Sequence, residues 1–194
     1  MIDEKYREVA EQVFEDIPEL RWISDPELQD KVAACWASLL MDSPYKRISE
    51  CQKLPNYDML AHTRHVIKGC VAIADLMEEF YGQPCNKDVL IAAAALHDAS
   101  QVLEKGPDNK ATPLGVNLIH GQYGSTRAWD FGLPPEVCYI IAYHPFTPPH
   151  ICVNPKNIEF IILSYADLSA VDTIFYRTGK PTHLQITKRF YEID

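Results

Sequence analysis

An unbroken apolar run of eight residues, 89–96 (VLIAAAAL), constrains the fold of this chain more than any other feature. A helix that is apolar on all of its faces lies inside a protein rather than on its surface. Elsewhere apolar residues recur at steps of three and four, and no long stretch alternates with period two, which is typical of helices. We therefore predict an all-α, single-domain helical bundle with residues 89–96 at its centre.

Proline and glycine residues separate the predicted helices. Asp25 followed by Pro26 gives a helix start signal, and Gly82 gives a stop signal. The same reasoning predicts helices over about 3–16, 26–41, 58–81, 87–101, 116–130, 135–144, from 155 to beyond 167, and 181–193. Because no internal repeat or linker divides the chain, we expect one structural unit.

The charge balance bears on the choice of partners. There are 18 Lys and Arg against 27 Asp and Glu, a formal net charge of −9, which would repel the phosphate backbone of a nucleic acid. No apolar run approaches the roughly 18 residues that cross a bilayer, and the chain begins with charged residues. We expect a cytoplasmic protein that binds neither a nucleic acid polymer nor a membrane and that could form a homodimer.

Six cysteines are scattered along the chain without any C-x-x-C pair, and several fall in apolar helical stretches. In a chain without an export signal, such residues are expected to be reduced core residues rather than disulfides or zinc ligands. They are Cys35, Cys51, Cys70, Cys85, Cys138 and Cys152.

His97 and Asp98 directly follow the apolar run. Burial would place an imidazole and a carboxylate together at low dielectric, where an unpaired charge is costly. A metal ion would satisfy both side chains at once. Further histidines and a carboxylate lie in similarly apolar segments, namely His62, His120, His144 and Asp167.

Four imidazoles and two carboxylates exceed the needs of one tetrahedral structural zinc and suit two metal ions. Nitrogen and carboxylate ligands favour iron, manganese, cobalt or zinc. Two ions about 3.5–4 Å apart, bridged by one carboxylate, can generate a hydroxide at neutral pH. Any one of these histidines alone could instead be a core residue bonded to a backbone carbonyl; the six residues together favour a dinuclear site.

The order of these residues resembles the H…HD…D signature of the HD superfamily of metal-dependent phosphohydrolases. The resemblance is carried by residues 61–66 (AHTRHV), 94–98 (AALHD) and 165–167 (YAD), and it covers roughly residues 58–175. Residues 118–124 (LIHGQYG) and 141–144 (IAYH) are similar to the branch that hydrolyses diadenosine tetraphosphate symmetrically. We accordingly divide the chain into N-terminal helices packing on the core (1–57), the HD metal-binding domain (58–175) and a C-terminal helix (176–194).

The resemblance also implies roles for the six residues. His62, His97, Asp98 and Asp167 would bind a first ion, and His120 and His144 a second, with Asp98 bridging the two. His97 and Asp98 would then be the catalytic pair. It implies two divalent ions, for which iron is our first expectation before manganese, cobalt or zinc, and a small-molecule substrate such as a nucleotide.

Two positions depart from the pattern of the phosphohydrolase branches. A lysine commonly stands three residues after the HD aspartate and contacts phosphate, but this chain has Gln101 there. The dinucleotide hydrolases follow the fourth histidine with Thr-Gly-Arg, where this chain has Pro145-Phe146-Thr147. The candidate substrate contacts are His65, Lys68, Gln101 and Lys105.

Three functions follow from these observations, in order of preference. The first is a hydrolase in which a metal-bridging hydroxide attacks a phosphoester or phosphoanhydride of a nucleotide-like molecule. The alternative is a mixed-valence di-iron HD-type oxygenase acting on a small organic or phosphonate substrate, which the missing lysine makes more credible. The third is a metal- or nucleotide-binding regulator without activity.

Overall fold

The computed structural model describes residues 2–52, 57–145 and 155–185, and these form helices joined by short loops. The α-helices are α1 (Arg7–Asp16), α2 (Pro26–Asp42), α3 (Met59–Tyr81), α4 (Lys87–Leu96), α5 (Pro113–Asn117), α6 (His120–Asp130), α7 (Pro135–Tyr143) and α8 (Ile158–Arg177). Short 3-10 helices cover Glu4–Tyr6, Pro18–Trp22, Ile48–Glu50 and Ala99–Leu103. Over these ranges there is no strand, only two isolated bridges, so the predicted all-α fold is confirmed.

Helix α4 lies at the centre of the bundle. Each of its residues from Val89 to Leu96 is buried, and it contacts α2, α3, α7 and α8. The indole Nε1 of Trp36 on α2 donates a hydrogen bond of 2.7 Å to the carbonyl of Ala95. The apolar run therefore occupies the position that its composition predicts.

Two helix pairs bring the later part of the chain against α4. Helices α3 and α8 pack closely, and a Cβ added at Gly69 would lie 3.3 Å from the Cβ of Ala166. Helices α6 and α7 form an antiparallel hairpin in which Gly121 faces Ile141 and Pro145. A Cβ at Gly121 would lie 2.7 Å from the Ile141 carbonyl oxygen, so only glycine allows this approach.

The N-terminal segment is joined to α3 by a buried carboxylate. Glu19 is 2% exposed and accepts hydrogen bonds of 2.8 and 3.0 Å from the Arg64 guanidinium. Lys68 Nζ lies 3.3 Å from the same carboxylate. These contacts fix Pro18–Trp22 against α3; the division at residues 57 and 175 stays a prediction.

The chain around the HD dipeptide differs from the predicted continuous helix over 87–101. Helix α4 ends at Leu96, and Asp98 has φ −105° and ψ 1°, which leaves the α-helical region. A 3-10 helix then begins, with the Gln101 N–H donating to the Asp98 carbonyl at 2.9 Å. The turn directs His97 and Asp98 toward the same side of the bundle.

Other helix boundaries also differ from those predicted from the sequence. The helix predicted over 116–130 is interrupted, because Leu118 and Ile119 are extended, with ψ values of 143° and 131°. Helix α8 begins at Ile158 rather than at the predicted residue 155, because the Asn157 side chain caps it by accepting a 3.0 Å hydrogen bond from Phe160 N. The start of the first predicted helix is 3-10 over Glu4–Tyr6. Most of the helix predicted over 181–193 lies outside the described residues.

Among the cysteines that the structure describes, Cys35, Cys70, Cys85 and Cys138 are free thiols. Cys35, Cys51, Cys70 and Cys138 are buried and Cys85 is partly buried, whereas Cys152 lies outside the described residues. Burial raises the pKa of the Cys138 thiol to about 11. Within the described ranges, no helix is both long enough and apolar enough to traverse a bilayer.

Candidate metal centre

Six side chains predicted as metal ligands converge between the helices. Residues of this set form three overlapping groups whose ligand atoms lie within 4.8 Å of one another. They come from α3 (His62), the turn after α4 (His97 and Asp98), the first position of α6 (His120), the residue after α7 (His144) and the middle of α8 (Asp167). The structure therefore brings together all six, although the first and the last, His62 and Asp167, are 105 residues apart in the sequence.

Asp98 lies between two sets of imidazoles. Its Oδ2 is 3.3 Å from His62 Nε2 and 3.6 Å from His97 Nε2. Its Oδ1 is 3.2 Å from His120 Nε2 and 3.3 Å from His144 Nε2. Each carboxylate oxygen thus faces a different histidine pair, which is the arrangement that a bridging carboxylate needs.

Asp167 completes the first of these sets. Its Oδ1 lies 3.3 Å from His62 Nε2 and 3.8 Å from His97 Nε2. The same oxygen is buried and makes no hydrogen bond. One set therefore has two imidazoles and two carboxylates, and the other has two imidazoles and the shared Asp98.

Backbone carbonyls orient two of the rings. His97 Nδ1 lies 2.8 Å from the Ala94 carbonyl oxygen, and His144 Nδ1 lies 2.8 Å from the Ile141 carbonyl oxygen. A carbonyl only accepts, so Nδ1 carries a proton in both rings and Nε2 points into the cluster. His62 Nδ1 is buried without a hydrogen-bond partner.

The surroundings shift the pKa values of the cluster in opposite directions. Burial would lower the pKa of His62, but contacts with Asp167 and Asp98 outweigh it and raise that pKa to about 9. Burial lowers the pKa of His144 to about 4, although Asp98 opposes the shift. Burial would raise the pKa of Asp167, yet His62 and His97 hold it well below its usual range. The Asp167 carboxylate is therefore held in its ionised form by the imidazoles that face it.

These residues fit divalent metal ions. The donor atoms are imidazole nitrogens and carboxylate oxygens, which iron, manganese, cobalt and zinc accept. The buried Asp167 Oδ1 has no hydrogen-bond partner, and a cation would satisfy it. The rings of His97 and His144 are held with their free nitrogens toward the cluster, so little reorientation would be needed.

One of the four candidate substrate contacts touches the cluster. Gln101 is buried, its side-chain amide donates to Asp98 Oδ1, and its own Oε1 is unpartnered. His65 is exposed and lies 3.1 Å from Ser169 Oγ, and Lys68 lies against Glu19. Lys105 is half-buried beyond the 3-10 helix, where its carbonyl accepts from Tyr45 Oη at 3.1 Å. All four stay predictions as substrate contacts.

Two residues near His120 were not predicted from the sequence. Glu104 Oε1 lies 3.1 Å from His120 Nδ1, and Ser100 Oγ donates a 2.7 Å hydrogen bond to the His120 carbonyl. Both lie on the segment that follows the HD dipeptide. The available signal was the presence of polar residues there, three to seven positions beyond His97, but nothing in the sequence paired them with His120.

A cavity opens beside the cluster. It has a volume of about 330 Å³ and is bounded on one side by His144 and Asp167. Its other walls include Phe160, Ile161 and Tyr165 of α8. Among the residues that the structure describes, those bounding it include no lysine or arginine.

Comparison with known proteins relates the chain to phosphohydrolases. Residues 59–172 match the HD domain family. The dihydroneopterin 2',3'-cyclic phosphate phosphodiesterase of Methanocaldococcus jannaschii is 32% identical over 112 residues, which are 56% of this chain and 44% of that protein. The chain thus spans less than half the length of this curated relative. No solved structure matches the chain significantly.

HD domains bind divalent metals, and the histidine and aspartate groups described above could hold them. By its name, the curated relative is a phosphodiesterase, an enzyme of the phosphohydrolase class. Since the match covers more than half of its residues, the chain belongs to the HD domain family.

Proposed function

We propose that the protein is a metal-dependent phosphohydrolase with a dinuclear centre, acting on a phosphoester or phosphoanhydride of a nucleotide-like small molecule. The observation that carries the proposal is the position of Asp98, whose two oxygens lie 3.2–3.6 Å from two different pairs of histidines. A single ion would use one of these sets and leave the other unexplained.

The assignment of ligands follows the two sets. His62, His97, Asp167 and Asp98 Oδ2 would hold one ion, and His120, His144 and Asp98 Oδ1 the other. When bound, two divalent ions supply positive charge for the phosphoryl oxygens and lower the pKa of a water nucleophile. Iron is the metal that we propose first, with manganese, cobalt and zinc as the alternatives.

Hydrogen bonds within the protein hold the proposed ligands in position. The Ala94 and Ile141 carbonyls fix the His97 and His144 rings, and the Gln101 amide holds Asp98 Oδ1. His97 is 0% exposed, and the cavity bounded by His144 and Asp167 gives a substrate a place beside the cluster. Such preorganisation limits the reorientation needed during the reaction.

The substrate is proposed to carry little negative charge and an apolar or aromatic organic part. Phe160, Ile161 and Tyr165 give the cavity an apolar wall. Gln101 replaces a cation, and residues 145–155 contain neither lysine nor arginine. A cyclic phosphodiester, the substrate type named for the Methanocaldococcus jannaschii relative, fits this environment better than a highly charged polyphosphate. Membership of the diadenosine tetraphosphate hydrolase branch stays a prediction that the missing cations do not favour.

The test is a turnover assay on purified protein loaded with ferrous iron or manganese. The substrates are 2',3'-cyclic nucleotides, nucleoside monophosphates, simple phosphomonoesters and dinucleoside tetraphosphates, and released phosphate or alcohol is measured. We expect hydrolysis of at least one phosphoester, and a loss of about 100-fold or more in Asp98→Asn. Metal-loaded protein that hydrolyses none of these classes would contradict the proposal.

The second candidate is the mixed-valence di-iron oxygenase. It is favoured by one observation: Gln101, which stands at the position of the phosphate-binding lysine, donates to Asp98 and carries no charge for a phosphate. Oxygen consumption that depends on ferrous iron and on an added organic or phosphonate substrate would support this candidate. Hydrolysis without oxygen consumption would exclude it.

A further inference from the structure

His120 is oriented differently from the other ligand histidines whose Nδ1 atoms have partners. His97 and His144 place Nδ1 2.8 Å from backbone carbonyls one turn earlier in the chain. His120 instead places Nδ1 3.1 Å from the carboxylate of Glu104, which lies 16 residues away. Both side chains are mostly buried, with 15% and 18% exposure. The Glu104 carboxylate therefore orients the His120 ring, whereas backbone carbonyls orient the rings of His97 and His144.

The backbone of Glu104 is held in place by the segment that follows it. The Thr112 N–H donates to the Glu104 carbonyl at 2.9 Å, and the Thr112 hydroxyl donates to the Leu103 carbonyl at 2.5 Å. Helix α5 presses on the same peptide: a Cβ added at Gly115 would lie 2.2 Å from the Glu104 carbonyl oxygen. Only glycine permits this approach, so the position of Glu104 is set by the packing of α5.

The backbone of His120 is held by the same 3-10 helix that leads to Glu104. Ser100 in that helix donates its hydroxyl to the His120 carbonyl at 2.7 Å. His120 follows two extended residues and opens α6, so no preceding helical turn supplies a carbonyl to its Nδ1. Glu104 takes the place of that missing acceptor.

We propose that Glu104 is a positioning residue that keeps the proton of His120 on Nδ1 and its Nε2 lone pair directed at Asp98 Oδ1, so that it selectively strengthens the second metal position. The inference rests on the proposed dinuclear function. The carboxylate also adds negative charge near the ion held by His120 and His144, and none of the contacts described above links it to His62 or Asp167. Outer carboxylates of this kind typically change metal affinity by about 10- to 100-fold.

The experiment is a Mn²⁺ titration of the full chain after chelator treatment and dialysis, with free Mn²⁺ measured by electron paramagnetic resonance. The variants are Glu104→Ala, Glu104→Met, which keeps the length without an acceptor, and Glu104→Gln, which keeps an acceptor oxygen without charge. Glu136→Ala is the control, because it removes an exposed carboxylate at the end of α7 remote from His144. The thermal midpoint of each metal-free variant reports any general destabilisation.

We expect two Mn²⁺ per wild-type chain. In the Ala and Met variants, the Mn²⁺ affinity of one position should fall by about 10- to 100-fold, while that of the other changes by less than about twofold. The Gln variant should recover most of the lost affinity. If Glu104 only filled space, the Met variant would bind Mn²⁺ as tightly as the wild type, and the Gln variant would bind no more tightly than the Met variant. Equal weakening of both positions, or an unchanged pair of affinities in the Ala variant, would overturn the inference while leaving the dinuclear proposal intact. Fewer than two ions in the wild type would overturn the dinuclear proposal itself, and this inference with it.

Discussion

The indole of Trp36 donates a 2.7 Å hydrogen bond to the carbonyl oxygen of Ala95, two residues before His97. Trp36 is fully buried on α2, outside the segment that matches the HD domain. Its donor satisfies a carbonyl near the end of α4, where the chain leaves the helix toward His97 and Asp98. The N-terminal helices thus support the site through a specific bond as well as through packing.

Trp36→Phe tests this link. Phenylalanine keeps much of the buried aromatic surface but leaves the Ala95 carbonyl unpaired, so we expect a loss of about 1–3 kcal/mol in the free energy of unfolding. Urea unfolding measures it. Trp22→Phe is the matched control, because Trp22 is 50% exposed, and it should change the free energy by less than about 0.5 kcal/mol. Equal effects of the two variants would show that the hydrogen bond to Ala95 contributes nothing specific.

Gly121→Ala tests the close approach of α6 and α7. The new methyl would meet the Ile141 carbonyl at 2.7 Å and Pro145 Cγ at 2.6 Å, which forces the two helices apart. We expect about 1–3 kcal/mol of destabilisation and weaker metal binding, since His120 and His144 sit at this contact. Calorimetry and a metal titration would measure the two effects.

Gly124→Ala is the control for Gly121→Ala, because Gly124 lies about one turn further along α6. A methyl at Gly124 would meet Ile141 Cγ2 and Ser100 Oγ at 3.2 Å, contacts that can relax. Gly124→Ala should therefore be milder in both measurements. A Gly121→Ala protein with wild-type stability and metal affinity would show that the helices tolerate a wider separation.

Glu19 makes stability depend on pH. Burial would raise the pKa of Glu19, but hydrogen bonds from Arg64 and Lys68 lower it below its usual value. A carboxyl whose folded pKa is lowered contributes stability above its unfolded pKa of about 4.3, and that stability is lost as the pH falls through the folded value. Since Arg64 and Lys68 are partly solvated, Glu19→Gln should cost about 1–2 kcal/mol at pH 7.

Urea unfolding from pH 7 to pH 3 checks this expectation. The wild-type and Glu19→Gln stabilities should converge as the pH falls, because the wild-type carboxyl becomes protonated. Glu27→Gln, which removes an exposed partner of Lys31, should give a much smaller difference. A difference between Glu19→Gln and wild type that stays constant down to pH 3 would contradict the role of the Glu19 charge.

The six residues proposed as metal ligands were predictable because each lies in or beside an apolar segment, where a polar group needs a reason to be buried. His97 and Asp98 after residues 89–96 are the clearest case. Glu104 was not predictable, since its contact with His120 depends on the turn at Asp98 and on the packing of α5. Likewise, the helical period of the sequence does not show the break at Leu118 and Ile119, which are extended and about half exposed.

The apolar cavity beside His144 can be filled by a substitution that leaves every proposed ligand unchanged. Ser164→Phe places a large ring in a space of about 330 Å³, so we expect KM for an organic phosphoester to rise by about tenfold or more, with metal content unchanged. Steady-state kinetics and elemental analysis are the measurements. Thr173→Phe, on an exposed position of the same helix, should leave KM unchanged. Unaltered KM in Ser164→Phe would place the substrate elsewhere.

Metal content tests whether the protein holds a dinuclear centre bridged by Asp98. Protein purified without chelator is measured by elemental analysis, alongside His144→Ala and Asp98→Ala. We expect about two ions per wild-type chain, about one in His144→Ala, and fewer than one in Asp98→Ala. Wild-type protein with one ion or none after metal loading, or an Asp98→Ala protein that keeps two, would contradict it.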